Sequence, residues 1–250
     1  MQDLIYVLYA NTEYDDILQI HLKKLLEFFP SIPYCICIND KDYFNTKYGS
    51  IYKPLNVYEY DNSATFTERI RSCISTITSK YILFIRETEV LTNNVNYNNL
   101  NVLMNAIKEK DIDQLRLYVS GIPYPVLNEE VIHEINEGYF MSLATAIWKR
   151  EKFLQILTKY KHLSYKEIEG DEVQNETKKL KNYYIAIPND PIFLKEGVSL
   201  SFIFPVIHLT FRGKWWYTNN HKPFIDKLLS EFNIDINTRG AYYEDDFINQ

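Results

Sequence analysis

FTERIRSCISTITSKYILFIRETEVL (residues 66–91) carries two different periodicities in succession. Phe66, Ile70, Cys73, Ile74 and Ile77 recur at the spacing of one helix face. Tyr81–Ile85 is apolar at every position, which is how a strand buried on both faces of a parallel sheet reads. That strand runs into Arg86–Glu87–Thr88–Glu89. A helix feeding directly into a two-sided buried strand is the unit from which α/β sheets are built.

The pattern repeats upstream. Leu4–Tyr9 reads as a buried strand ending in Ala10–Asn11–Thr12, and Leu18, Leu22, Leu25, Leu26 and Phe29 form the next helix face, closed by Pro30 and Pro33. Tyr34–Ile38 and Asn56–Tyr60 are further strands, ending in Asn39–Asp40 and Asp61–Asn62. Strand–helix alternation of this kind predicts a Rossmann-like half with a mostly parallel sheet flanked by helices. Downstream the order is looser. Leu100, Leu103, Met104 and Ile107 suggest a helix, Leu115–Ser120 a strand, and Phe153, Leu154 and Leu157 a helix after Trp148. Residues 161–182 read as a mobile loop or short helices, Tyr183–Ile187 and Ile203–Leu209 as strands, and Phe224, Leu228, Leu229 and Phe232 as a closing helix before the acidic tail Glu244–Asp245–Asp246. No repeat or linker divides the 250 residues, so a single domain is expected.

Composition narrows the function. A net charge of −6 argues against a general nucleic-acid binder, which needs clustered Lys and Arg. With only 7 glycines the chain has no GxGxxG or GxxxxGK[ST] phosphate loop, which disfavours dinucleotide and P-loop enzymes. The three cysteines, Cys35, Cys37 and Cys73, lack zinc spacing and read as free core thiols of a reducing compartment. Neither a signal peptide nor a membrane-length apolar run is present, so a cytoplasmic location is expected.

In open α/β sheets, ligands bind beyond the carboxyl ends of the strands. Asn11, Asp40, Asp61 and the Glu87–Glu89 pair all sit at such ends, although Asp and Asn there also cap the following helix. Two carboxylates leaving a central strand are able to reach one hard divalent cation. Arg212 and Lys214 flank Gly213 and offer charge-assisted bonds to phosphate oxygens. Trp215 and Trp216 offer stacking faces, one of them expected in the core.

Residues 66–91 resemble the helix–strand–acidic-turn segment of GT-A-type nucleotide-sugar glycosyltransferases, and are similar to the small transferases of large DNA viruses and bacterial polysaccharide loci. MSLATAIWKREKFLQIL (141–157), followed by the acidic YKEIEGDE, and VIHLTFRGKWW (206–216) resemble later parts of the same family. Thr88 stands where that family often carries aspartate. The resemblance implies one domain over 1–250, with a nucleotide-binding half (1–92) and an acceptor-side half (93–250). It implies transfer of a hexosyl or deoxyhexosyl group from a nucleotide-sugar donor to a hydroxyl of a glycan or glycoconjugate, with inversion. It further implies Mn²⁺ or Mg²⁺ held by Glu87 and Glu89, with His208 as a further ligand or diphosphate donor unless it is structural. Asn11, Asp40, Asp61, Arg69, Arg212 and Lys214 would hold the donor. Glu169 or Glu167 would be the catalytic base, with Asp171 and Glu172 close by. Were the source viral, the location would be the host cytoplasm. The alternative is a non-catalytic carbohydrate- or nucleotide-binding module of the same fold. A nucleotidyltransferase is disfavoured because it normally carries a glycine-rich phosphate loop near the first strand.

Overall fold

Leu4–Tyr9 forms strand β1 with all six residues buried, as a run apolar on both faces demands. The computed structural model describes residues 3–117, 132–136, 138–185, 198–199, 204–219 and 221–243. From β1 the chain passes through α1 (Asp15–Phe28), β2 (Tyr34–Ile38), α2 (Lys41–Lys47), β3 (Asn56–Glu59) and α3 (Phe66–Thr76) to β4 (Tyr81–Arg86). β1 lies between β2 and β4, and β3 lies outside β2, all in parallel. The first two crossovers therefore travel one way across the sheet and the third returns past β1. A crevice opens above the carboxyl ends of the two strands where the direction reverses, here β1 and β4.

The rest of the chain adds β5 (Glu89–Leu91), α4 (Tyr97–Glu109), β6 (Gln114–Arg116), β7 (Ile132–Glu134), β8 (Ala146–Lys149) and α5 (Arg150–Lys159). It continues with α6 (Asp171–Thr177), β9 (Asn182–Ile185), β10 (Val198–Ser199), β11 (Val206–His208), β12 (Thr210–Phe211), β13 (Lys214–Trp216), α7 (Lys222–Phe232) and β14 (Ala241–Tyr242). The main sheet has the order β3-β2-β1-β4-β8-β6-β9-β7. Of its seven pairings among the described residues, four are parallel and three, β4–β8, β6–β8 and β7–β9, are antiparallel. The expected α/β class with a mostly parallel central sheet flanked by helices is the one observed. One expectation changes: β4 is central, but only its β1 side is parallel, because β8 runs antiparallel and delivers α5 onto the face already covered by α3.

The period of two sorts the core. Leu4, Tyr6 and Leu8 join the apolar layer under α1 and α4, whereas Ile5, Val7 and Tyr9 join the layer under α3 and α5. α3 forms where its spacing predicts. Thr65 caps it by accepting the Glu68 N–H, Ile70, Cys73 and Ile74 are buried, and extended backbone at Ile77 ends it. In α1 the expected face is buried except Leu26, which is exposed, and a second face buries Ile17 and Ile20 against α7. A helix packed on two sides cannot be read from one stripe. Residues 161–182 form a 3-10 turn at Glu167–Glu169 and the short helix α6. The expected strand ends at 118–120, 186–187 and 203, and the tail Glu244–Asp246, lie outside the described residues. No helix among those described is long and apolar enough to cross a membrane.

Candidate functional site

β1 and β4 end side by side, with Tyr9 in register with Arg86 and the Glu87 N–H bonded to the Tyr9 carbonyl at 3.0 Å. A cleft of about 720 Å³ opens over these ends. Its lining comes from three places. The strand ends give Tyr9, Asn11, Arg86, Glu87 and Thr88; the segments before β8 and α6 give Ser142, Ala144, Tyr165, Lys166 and Glu169; the β11–β13 region gives His208, Thr210, Arg212, Gly213 and Trp216. Tyr14 and Phe66 add aromatic faces.

The turn at 86–89 separates its two carboxylates. β5 pairs antiparallel with β11, so Glu89 and His208 are cross-strand neighbours, and His208 Nε2 lies 2.9 Å from Glu89 Oε1. Arg86 donates to the same oxygen at 2.8 Å, while Oε2 accepts from the Thr145 hydroxyl at 3.0 Å and the Arg86 backbone N–H at 3.3 Å. Burial alone would raise the Glu89 pKa, but the charges of Arg86 and His208 override it and hold the carboxyl well below the usual range. Glu87 is also buried, at 6% exposed, yet lines the cleft. Burial pushes its pKa up to about 7, with Glu89 adding to the rise and Arg86 opposing it. A carboxyl near neutrality in a cleft is able to take or give a proton at ordinary pH. Beneath the turn, buried His21 contacts the Glu87 carbonyl through Nδ1 at 3.1 Å and the Tyr6 hydroxyl through Nε2 at 2.6 Å. Burial lowers the His21 pKa to about 4, so it holds this peptide as a neutral ring.

Two side chains assemble the opposite wall. Gln174 accepts from the Phe140 and Met141 N–H groups at 2.6 and 2.7 Å, and donates to the carbonyls of Met141 and Glu169 at 2.8 and 2.9 Å. Glu169 Oε1 accepts from the Leu143 N–H at 2.8 Å. The second carboxylate oxygen of Glu169 has no bond among the described residues. Tyr165 crosses the gap, its hydroxyl accepting from Arg86 at 2.6 Å. Arg212–Gly213 is the two-residue turn of the β12–β13 hairpin, with φ of 51° and 80°. Both values are positive, the condition of a type I′ turn, which glycine meets freely and arginine only at some cost.

Of the residues expected at the site, Asn11, Glu87, Glu169, His208, Arg212 and Trp216 share the cleft. Glu89 lies behind it in the ion-pair network. Asp40 caps α2 by accepting the Tyr43 N–H, and Asp61 accepts from the Ser63 N–H and hydroxyl. Arg69 donates to the carbonyls of Ala64 and Asn62 and so shapes the loop before α3. Glu167 accepts from the Ser164 N–H, Trp215 is fully buried, and Lys214 is exposed outside the cleft lining. Sequence reasoning missed Arg86, Lys166, Tyr165 and Tyr14. For Arg86 the signal was available: it is a cation at the end of the central strand.

The donor set does not fit the expected Mn²⁺ or Mg²⁺. Hard divalent cations take several oxygen ligands, yet the Glu89 oxygens already accept four contacts, Thr88 is uncharged, and Glu87 is alone. Among the described residues no three His, Cys, Asp or Glu side chains gather into a cluster that would hold a metal by itself.

No known family model and no curated protein matches the chain. Among solved structures it is similar to residues 1–349 of S. aureus TarS in complex with UDP-GlcNAc, at 13% identity over 75% of this chain and 56% of that one, TM-score 0.47. It is also similar to bifunctional IspDF from Campylobacter jejuni, at 12% identity over 74% and 50%, TM-score 0.46. A third is CMP:2-keto-3-deoxy-manno-octonic acid synthetase complexed with CTP, at 10% over 74% and 90%, TM-score 0.49. The chain spans about half the length of the first two. Likeness at this level speaks to neither reaction nor residues.

Proposed function

We propose that the chain is a glycosyltransferase that moves a hexosyl or deoxyhexosyl group from a nucleotide-sugar to a hydroxyl of a glycan or glycoconjugate. One observation carries the reading. Three cations, Arg86, Lys166 and Arg212, share a cleft with a part-exposed carboxylate, Glu169, above the reversal point of the sheet. The cations match a diphosphate in charge, and Arg adds fork geometry. Trp216, Phe66 and Tyr14 offer faces for base or sugar. In the reaction the acceptor oxygen bonds to the anomeric carbon, the bond from that carbon to the diphosphate breaks, and Glu169 takes the acceptor proton. The nucleoside diphosphate leaves with the bonding pair. Attack from the side opposite the leaving group inverts the centre.

The resemblance carried by residues 66–91, 141–157 and 206–216 supports the same class. Asn11 is the member of the proposed nucleotide set that lies at the cleft, while Asp40 caps α2 and Asp61 closes a local turn on Ser63. Incubation with UDP-, GDP- and dTDP-sugars should release nucleoside diphosphate from one base class. A second reading, a non-catalytic binding module, is favoured by the structural use of Glu169 Oε1 on Leu143. Tight binding of a donor without turnover in the presence of varied acceptors would establish that reading instead.

A further inference from the structure

We propose that the cleft grips its diphosphate with side-chain cations alone, Arg86, Lys166 and Arg212 doing what a divalent cation would otherwise do, so that donor binding is metal-independent. This rests on the nucleotide-sugar reading above. The acidic turn that would hold a metal is committed elsewhere. Glu89 is fully buried and its two oxygens meet Arg86, His208 and Thr145. Removing Glu89 from that network to bind a cation would strand the Arg86 charge in a buried site, which is costly.

Arg86 keeps capacity for a ligand. Of the five guanidinium N–H groups, one donates to Glu89 and one to the Tyr165 hydroxyl, and Nε has no partner. Nε is buried away from the cleft, whereas the group that donates to the Tyr165 hydroxyl lies at its wall, since Arg86 and Tyr165 both line it. Tyr165 is 43% exposed, so its contact with Arg86 is open to exchange for a phosphate oxygen. Lys166 lines the cleft from the next position and has no ion pair among the described residues. Arg212 comes from a third element, on a turn whose left-handed backbone is set by the β12–β13 hairpin. Three cations from three elements converge in a chain whose net charge is −6. Such local concentration against the overall charge is what recognition of a compact polyanion requires.

The test uses pyrophosphate as the probe, titrated calorimetrically into the full chain in EDTA and again in Mg²⁺ or Mn²⁺. Binding in EDTA of similar strength to that with metal is expected. Lys166→Gln and Arg212→Asn, the latter tolerating the left-handed turn, should each weaken it by roughly tenfold or more. Because both positions lie outside the buried network, their circular dichroism should match the parent. Binding that appears only with metal would overturn the proposal, as would EDTA binding indifferent to both substitutions, or no binding in either condition. Nucleotide-sugar turnover that EDTA abolishes would overturn the proposal while leaving the glycosyltransferase reading intact. Metal-free pyrophosphate binding with no turnover of any nucleotide-sugar would support the grip and sink that reading.

Discussion

Two acidic turns face each other across the cleft, and each carries a cation followed by two carboxylates two residues apart. At the end of β4 these are Arg86, Glu87 and Glu89; before α6 they are Lys166, Glu167 and Glu169. In each, one carboxylate is consumed by structure and the other lines the cleft. Glu89 is fully buried among Arg86, His208 and Thr145, and Glu167 is exposed and caps Ser164. Glu87 and Glu169 remain for chemistry, the first buried and uncharged up to about neutrality, the second part-exposed. Spacing alone makes no chelate. What each carboxylate does is set by the groups the fold brings beside it, His208 and Thr145 for Glu89, Ser164 for Glu167 and Leu143 for Glu169.

The largest expected effect is on the buried member. Glu89→Gln should leave the Arg86 charge buried without its counter-charge and cost about 3–5 kcal/mol of stability, read as a fall in urea midpoint. An unchanged midpoint would show that the network contributes nothing and would break the contrast between the turns.

Glu87→Gln should move stability the other way. The folded state holds Glu87 at a pKa of about 7, above the ~4.3 of an unfolded glutamate, so the native state binds the extra proton between those values. Stability is therefore lost as pH rises through that window, by up to about 4 kcal/mol. The amide has no such loss. Glu87→Gln should be more stable than the parent at pH 8 and equal to it near pH 4, and a gain that is the same at both would contradict the burial account.

His21 opposes this over nearly the same window. Its folded pKa of about 4 lies below the ~6.5 of an unfolded histidine, so stability is lost as pH falls from about 6.5 towards 4. The parent should consequently show a shallow pH profile between about 4 and 7, because the two terms run in opposite directions. Replacing Glu87 by Gln should uncover the acid-side slope of His21. The smallest effect belongs to Glu167→Gln, which should leave both the urea midpoint and donor turnover unchanged. Loss of turnover there would move the base from Glu169 to Glu167.

The part of the fold most legible in the sequence was the part with long periodic segments. Leu4–Tyr9, Tyr34–Ile38 and the α3–β4 stretch were readable because each buries a continuous apolar face. β6 and β9 were read as strands but with displaced ends, and β8 was not read, because strands of three or four residues are too short to show a period. The site was legible only where local sequence places it. Glu169 and Arg212 lie in turns that the sequence marks, but the pairing of Glu89 with His208 depends on β5 meeting β11, a register no local pattern encodes. Asp40 and Asp61 were read as ligands because the residue types that bind at strand ends are also those that cap the next helix, as Asp40 does, or fold a local turn, as Asp61 does on Ser63.

Glu169 is proposed to deprotonate the acceptor, and the turnover of Glu169→Gln with the donor that the nucleotide-sugar panel identifies tests this. The amide oxygen still accepts from Leu143, so the wall should stay assembled and nucleoside diphosphate affinity should hold. Turnover should fall by roughly a hundredfold or more. Turnover within a fewfold of the parent, with affinity retained, would contradict the claim.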